Sequence, residues 1–134
     1  MQAGMSKTFS IILGVILTLL GLLGFISNPL IGTNSIFATD TTHNVIHIIL
    51  GSILLVVAFL SHKDCALWLK IIGAIIFLLG LIGVLTIPST GGTLLGIVYA
   101  NGASNFLHLV AGIVMFISGV YGKCSISAVI AQSQ

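Results

Sequence analysis

The six charged side chains of this sequence, Lys7, Asp40, Lys63, Asp64, Lys70 and Lys123, leave three long stretches, 8–39, 41–62 and 71–122, without any formal charge. Soluble domains are about a quarter charged residues. Here the charged fraction is 4% and the hydrophobic fraction 57% over 134 residues, which makes lipid rather than water the natural solvent of the chain. A helix that crosses ~30 Å of hydrocarbon needs about 20 mostly apolar residues. Segments near 8–27, 42–61, 66–87 and 104–122 meet that length, the last two being separated by Pro88-Ser89-Thr90-Gly91-Gly92. A closed barrel is the other architecture that satisfies a spanning backbone, but it needs alternating strands and these runs are continuously apolar. The expected fold is therefore all-α, an integral membrane four-helix bundle forming one domain over 1–134.

The first apolar run follows Lys7 as a signal peptide would, but it is long, no small-x-small cleavage site follows it, and its sequence recurs in the third helix. It is expected to be retained. The chain has no arginine, so orientation rests on lysine. Lys7 precedes helix one, Lys63 and Lys70 flank the connection between helices two and three, and Lys123 follows helix four. With four spans all of these fall on one side, which predicts a multi-pass protein of the cell membrane with both termini cytoplasmic. The long connections, about 28–41 and 88–103, then face outward with Asp40 as their one charge. The net charge of +2 is flank bias, with no basic run or aromatic interleaving that would suggest nucleic acid. Cys65 and Cys124 fall at the expected cytoplasmic boundary, where thiols usually stay reduced.

Displacing the sequence on itself by 59 residues lays Gly14, Gly21 and Gly24 over Gly73, Gly80 and Gly83, and Pro29 over Pro88. At a displacement of 61, Asn44, His47 and Gly51 fall on Asn105, His108 and Gly112. The second outer connection is two residues longer. These matches predict two hairpin repeats, about 7–62 and 66–123, and two spans per repeat make the copies parallel about an axis along the membrane normal. Asn44, His47, Gly51 and Ala58 form one stripe of a helix, and Asn105, His108, Gly112 and Gly119 form the same stripe on helix four. Small residues admit close backbone approach, and polar ones avoid acyl chains. Both stripes are expected to face the bundle interior and each other, with the glycines of helices one and three as the matching seams.

His43-Asn44-Val-Ile-His47-Ile-Ile-Leu-Gly51, and the outer run Leu94-Leu-Gly96-Ile-Val-Tyr99-Ala-Asn101 leading to Asn105-Phe-Leu-His108, resemble a bacterial family of small four-helix membrane proteins, domain of unknown function 4383. The resemblance covers most of the chain. It implies a fold and a membrane location, and it brings neither an activity nor catalytic residues.

His47 and His108 are the candidate cofactor ligands. As a pair at one depth on two helices they suit a bis-histidine haem, with Gly51 and Gly112 one turn away to clear a macrocycle. A zinc site is the weaker form of the idea, because only His43 is placed to join the pair. The bland reading is structural: Asn44, His47, Asn105 and His108 hydrogen-bond loop carbonyls or each other and fix helix depth. His43 and His62 fall near helix ends and are read as interfacial, as are Trp68, Tyr99 and Tyr121. Asp40 with Thr41 and Thr42 reads as a helix start.

The sequence has no phosphate-binding glycine loop, no metalloprotease motif and no nucleophile paired with a base, so an enzyme is not expected. The first functional expectation is a structural or accessory protein of the lipid bilayer that packs against itself, as a homo-oligomer, or against a larger membrane complex. A haem- or metal-binding bundle using His47 and His108 is the second, and a small transporter or channel formed by an oligomer is the third.

Overall fold

The computed structural model describes residues 4–61 and 63–122. His62, Lys123 and Cys124 lie outside the described residues. Four helices, α1 (Met5–Leu23), α2 (Thr41–Leu60), α3 (Cys65–Thr86) and α4 (Gly102–Tyr121), are joined by loops, and two short strands, β1 (Gly92–Leu94) and β2 (Val98–Ala100), precede α4. Each of the four helices is long and apolar enough to cross a membrane.

The helix ends have local causes. Asp40 and Asn101 are extended residues whose side chains accept the main-chain N–H groups of His43 (2.8 Å) and Ser104 (2.9 Å), capping α2 and α4. Helix α1 ends at Leu23, short of the expected residue 27, because the Asn28 amide folds back to donate to the carbonyls of Leu23 (2.9 Å) and Ile26 (2.6 Å). The Leu23 carbonyl also accepts the Ile26 N–H (3.0 Å), so the chain turns tightly out of the helix. Helix α3 stops two residues before Pro88, and Ile87 is extended, as a residue preceding proline prefers. The strands were not anticipated. They pair in antiparallel register, Gly92 with Ala100 and Leu94 with Val98, around a turn in which both Leu95 (φ 52°) and Gly96 (φ 71°) have positive φ. Such turns favour Asn-Gly, and a leucine at the first position disguises the hairpin.

Packing is closest within the pairs α1–α2 and α3–α4, while α2 and α4 make the least contact of any helix pair. The contacts run antiparallel: Gly14 lies against Gly51 and Leu55, and Gly21 against Asn44 and Ile48; likewise Gly73 lies against Gly112 and Phe116, and Gly80 against Asn105 and Leu109. A Cβ on Gly73 would stand 2.6 Å from the Phe116 nitrogen, and one on Gly112 would stand 2.6 Å from the Phe77 nitrogen. Since the obstacle is backbone, no rotamer change relieves it. Gly24 and Gly83 each give up their side-chain space to an asparagine amide, Asn44 and Asn105 respectively. Gly51 and Gly112 therefore face α1 and α3 of their own hairpins, and not each other as the stripes suggested.

Leu17, Leu54, Leu69, Ile72, Ile76 and Met115 fill the space between the pairs, with Trp68 packed partly against them instead of standing free at a boundary. At the end away from the strands Ser6 Oγ donates to the Ser118 carbonyl (3.0 Å), joining α1 to α4. Cys65 at the same end is buried and disulfide-bonded, which corrects the expectation of a reduced thiol. Outward-facing aliphatic residues such as Ile12, Leu19, Leu78 and Ile117 stay about half exposed, a surface suited to acyl chains.

Alanine at Gly73 or Gly112 is expected to destabilise the protein by about 1–3 kcal/mol, the usual cost of overpacking. The double variant should lose less than the sum, because the first methyl already opens the same crossing. Unfolding in detergent read by circular dichroism measures both.

Candidate functional site

The N-terminal ends of α2 and α4 are held by a crossed set of hydrogen bonds. Asp40 caps α2 with Oδ1 and accepts the Tyr99 N–H on Oδ2 (3.0 Å), so it fixes the connection that leads into α4. Asn101 caps α4 and accepts the Ala38 N–H on the same Oδ1 (3.4 Å), fixing the connection that leads into α2. Its amide nitrogen also donates to the Ile36 carbonyl (3.0 Å). The residues three positions further on complete the pattern. His43 Nδ1 lies 2.9 Å from the Tyr99 carbonyl, and Ser104 Oγ donates to the Ala38 carbonyl (2.9 Å). Asp40 and Asn101, His43 and Ser104, and Ala38 and Tyr99 all stand 61 positions apart. Each helix start thus grips the loop of the other hairpin through both a donor and an acceptor.

Beneath this lock three imidazoles gather in the gap between α2 and α4. The ring centroids of His43 and His47 are 4.5 Å apart, those of His43 and His108 5.2 Å, and those of His47 and His108 6.0 Å. A carbonyl only accepts, so His43 Nδ1 carries the proton toward Tyr99 and its Nε2 presents a lone pair. That Nε2 lies 3.4 Å from His108 Nε2. His47 and His108 are each the seventh residue of their helices, about 9 Å along the axis from the first. Their Nδ1 atoms are buried without a hydrogen-bond partner among the described residues. Each of the three rings offers one ligating nitrogen, and these atoms lie within 4.8 Å of one another. Two clefts of about 140 and 170 Å³ border the cluster, and both include all three histidines in otherwise mostly apolar walls.

A family model described as "Domain of unknown function (DUF4383)" matches residues 7–121. The chain belongs to this family. No curated protein and no solved structure matches it.

The structure brings His47 and His108 to one depth beside each other, with Asn44 and Asn105 on the sides of the same helices turned to α1 and α3. It gives the loop-carbonyl bond foreseen for that pair to His43 instead. Asn44 Oδ1 and Asn105 Oδ1 likewise lack a hydrogen-bond partner among the described residues, so their contribution is contact with Gly24 and Gly83. His43, read as interfacial, is 3% exposed. The signal that places it was its spacing: residues i and i+4 share a helix face, so a ring at 43 had to lie over the one at 47. The asparagine cap at 101 was hidden in an apolar loop, and its partner loop is distant in sequence.

If the lock acts crosswise, Asp40→Ala will raise amide hydrogen exchange in residues 92–100, in the opposite hairpin, and Asn101→Ala will do so in 30–39. Loss of a cap together with a loop bond should cost about 2 kcal/mol. Faster exchange confined to the loop next to each substitution would contradict the crossed arrangement.

Proposed function

We propose that this chain is a small structural or accessory component of the cell membrane, formed by two parallel copies of a helical hairpin with both termini cytoplasmic, and that it is not an enzyme. The observation that carries the reading is the crossed lock. Every member on one side has a counterpart 61 residues on, which supports duplication of a hairpin about an axis along the membrane normal. A bundle that closes its own glycine seams and ties both outer loops into one cap is suited to presenting a rigid surface. Because those seams are covered from within, association with a larger complex or a second copy would use the aliphatic helix faces or the cap.

The haem, conduit and catalytic readings are weaker on physical grounds. A haem between His47 and His108 would need their rings on opposite faces of a macrocycle, whereas their centroids are 6.0 Å apart and the His43 ring packs against both at 4.5 and 5.2 Å. A polar conduit along the axis meets the packed side chains of Leu54, Leu69, Ile72 and Met115. For catalysis, the nearby carboxylate of Asp40 is engaged by two main-chain N–H groups, which leaves the imidazoles without an acid–base partner.

Lysine flanks favour cytoplasmic termini, whereas the disulfide at Cys65, on the same side, favours an oxidising compartment. Reporter fusions decide between them. Green fluorescent protein after Gln134 is expected to fold and fluoresce, and alkaline phosphatase inserted between Asn34 and Ser35 to be active. The opposite pattern would invert the topology. Sedimentation in detergent at the mass of one chain is expected for a self-contained bundle, and a stable oligomer dissociated by Gly73→Ala would return the seams to contacts between chains.

A further inference from the structure

We propose that His43, His47 and His108 form a three-imidazole site for a divalent first-row metal ion, Zn²⁺ by donor set and geometry, with a fourth position left for a non-protein ligand. The proposal does not depend on the accessory role. Two nitrogens bound at 2.0–2.1 Å to a tetrahedral ion are about 3.3–3.4 Å apart. His43 Nε2 and His108 Nε2 already stand at 3.4 Å, long for a hydrogen bond and suited to a shared ion. The third ligating nitrogen, on His47, lies within 4.8 Å of the others, so a small rotation of one ring closes the set.

The surroundings fit metal ligation better than hydrogen bonding. Burying imidazoles whose second nitrogen finds no partner is unfavourable in lipid, and such atoms are normally paired. An ion bound through His47 Nδ1 would give that atom the partner it lacks, while His108, which presents Nε2 to His43, keeps an unpartnered Nδ1 among the described residues. His43 also has the support that ligating histidines usually have: its far nitrogen donates to a carbonyl, which sets the tautomer and aims Nε2 at the cluster. The N–H of Tyr99, whose carbonyl takes that bond, donates to Asp40 Oδ2, so a carboxylate stands two hydrogen bonds behind the ligand. Nitrogen donors alone exclude Ca²⁺ and Mg²⁺. The flanking clefts leave room for water or a small anion as the fourth ligand.

The comparison of the two hairpins sharpens the case. Where the second carries Ser104 to bond its loop carbonyl, the first carries His43, which makes the same bond. A serine serves the lock; an imidazole serves the lock and adds a ligand.

The test uses the full chain with an affinity tag free of histidine, purified in mild detergent and treated with chelator. Co²⁺ alone is added first, then Zn²⁺. One equivalent of Co²⁺ is expected to give the intense visible bands of a tetrahedral site, and one equivalent of Zn²⁺ to abolish them. Zn²⁺ affinity should fall by at least about a hundredfold, the upper end of what disturbing an outer-shell partner costs, in His47→Gln and His108→Gln. It should fall as far in His43→Ser, which keeps a hydroxyl for the Tyr99 carbonyl and is expected to stay folded. A folded, monodisperse parent protein with no saturable tetrahedral Co²⁺ spectrum would overturn the site, as would folded histidine variants that bind Zn²⁺ unchanged. Should a variant fail to fold, zinc X-ray absorption of the parent protein decides: three imidazole nitrogens at about 2.0 Å support the site, and a shell of oxygens alone overturns it.

Discussion

Where helices leave the hydrocarbon, polar main-chain groups of the connecting loops must find partners, and in this protein two side chains at equivalent helix starts supply them. Asp40 and Asn101 each close the first turn of their own helix and hold the loop of the other hairpin. The rest of that end of the bundle depends on this arrangement. It fixes the Tyr99 carbonyl above α2, the Tyr99 carbonyl fixes the His43 ring, and the ring closes the gap between α2 and α4 over the other two imidazoles. Helices that barely touch through their backbones are thereby connected through side chains and loops.

The two ends of the bundle are held by different physics. Toward the middle and the Cys65 end, glycines allow backbones to meet at van der Waals distance, Ser6 bonds across to α4, and aliphatic side chains occupy the axis. Toward the strands, the helices separate enough for rings and clefts to fit between them. Dispersion favours the first region, and its specification lies in the glycines whose added Cβ would meet backbone. The second is polar and buried, where each unpaired atom is costly, so its few contacts are specific. Among the described residues, His43, His47 and His108 are the histidines grouped there.

Sequence alone determined that this chain is a membrane protein of four apolar helices, that it resembles the family to which it belongs, and that His47 and His108 sit at one depth. These follow from local properties, the length of uncharged runs and the 3.6-residue period, which lipid enforces strictly because a spanning backbone has few ways to satisfy its own hydrogen bonds. Tertiary structure decided what lies against what. Gly51 and Gly112 turn to their own hairpin partners and not across the axis, Cys65 is disulfide-bonded, and Gly92 to Ala100 fold as a strand pair around a leucine with positive φ. It also brought His43 from an expected interface into the cluster and gave Asn101 a partner 65 residues away. Those outcomes depend on contacts between residues far apart in the chain, where a short apolar pattern carries no information about which of several equally apolar surfaces will meet.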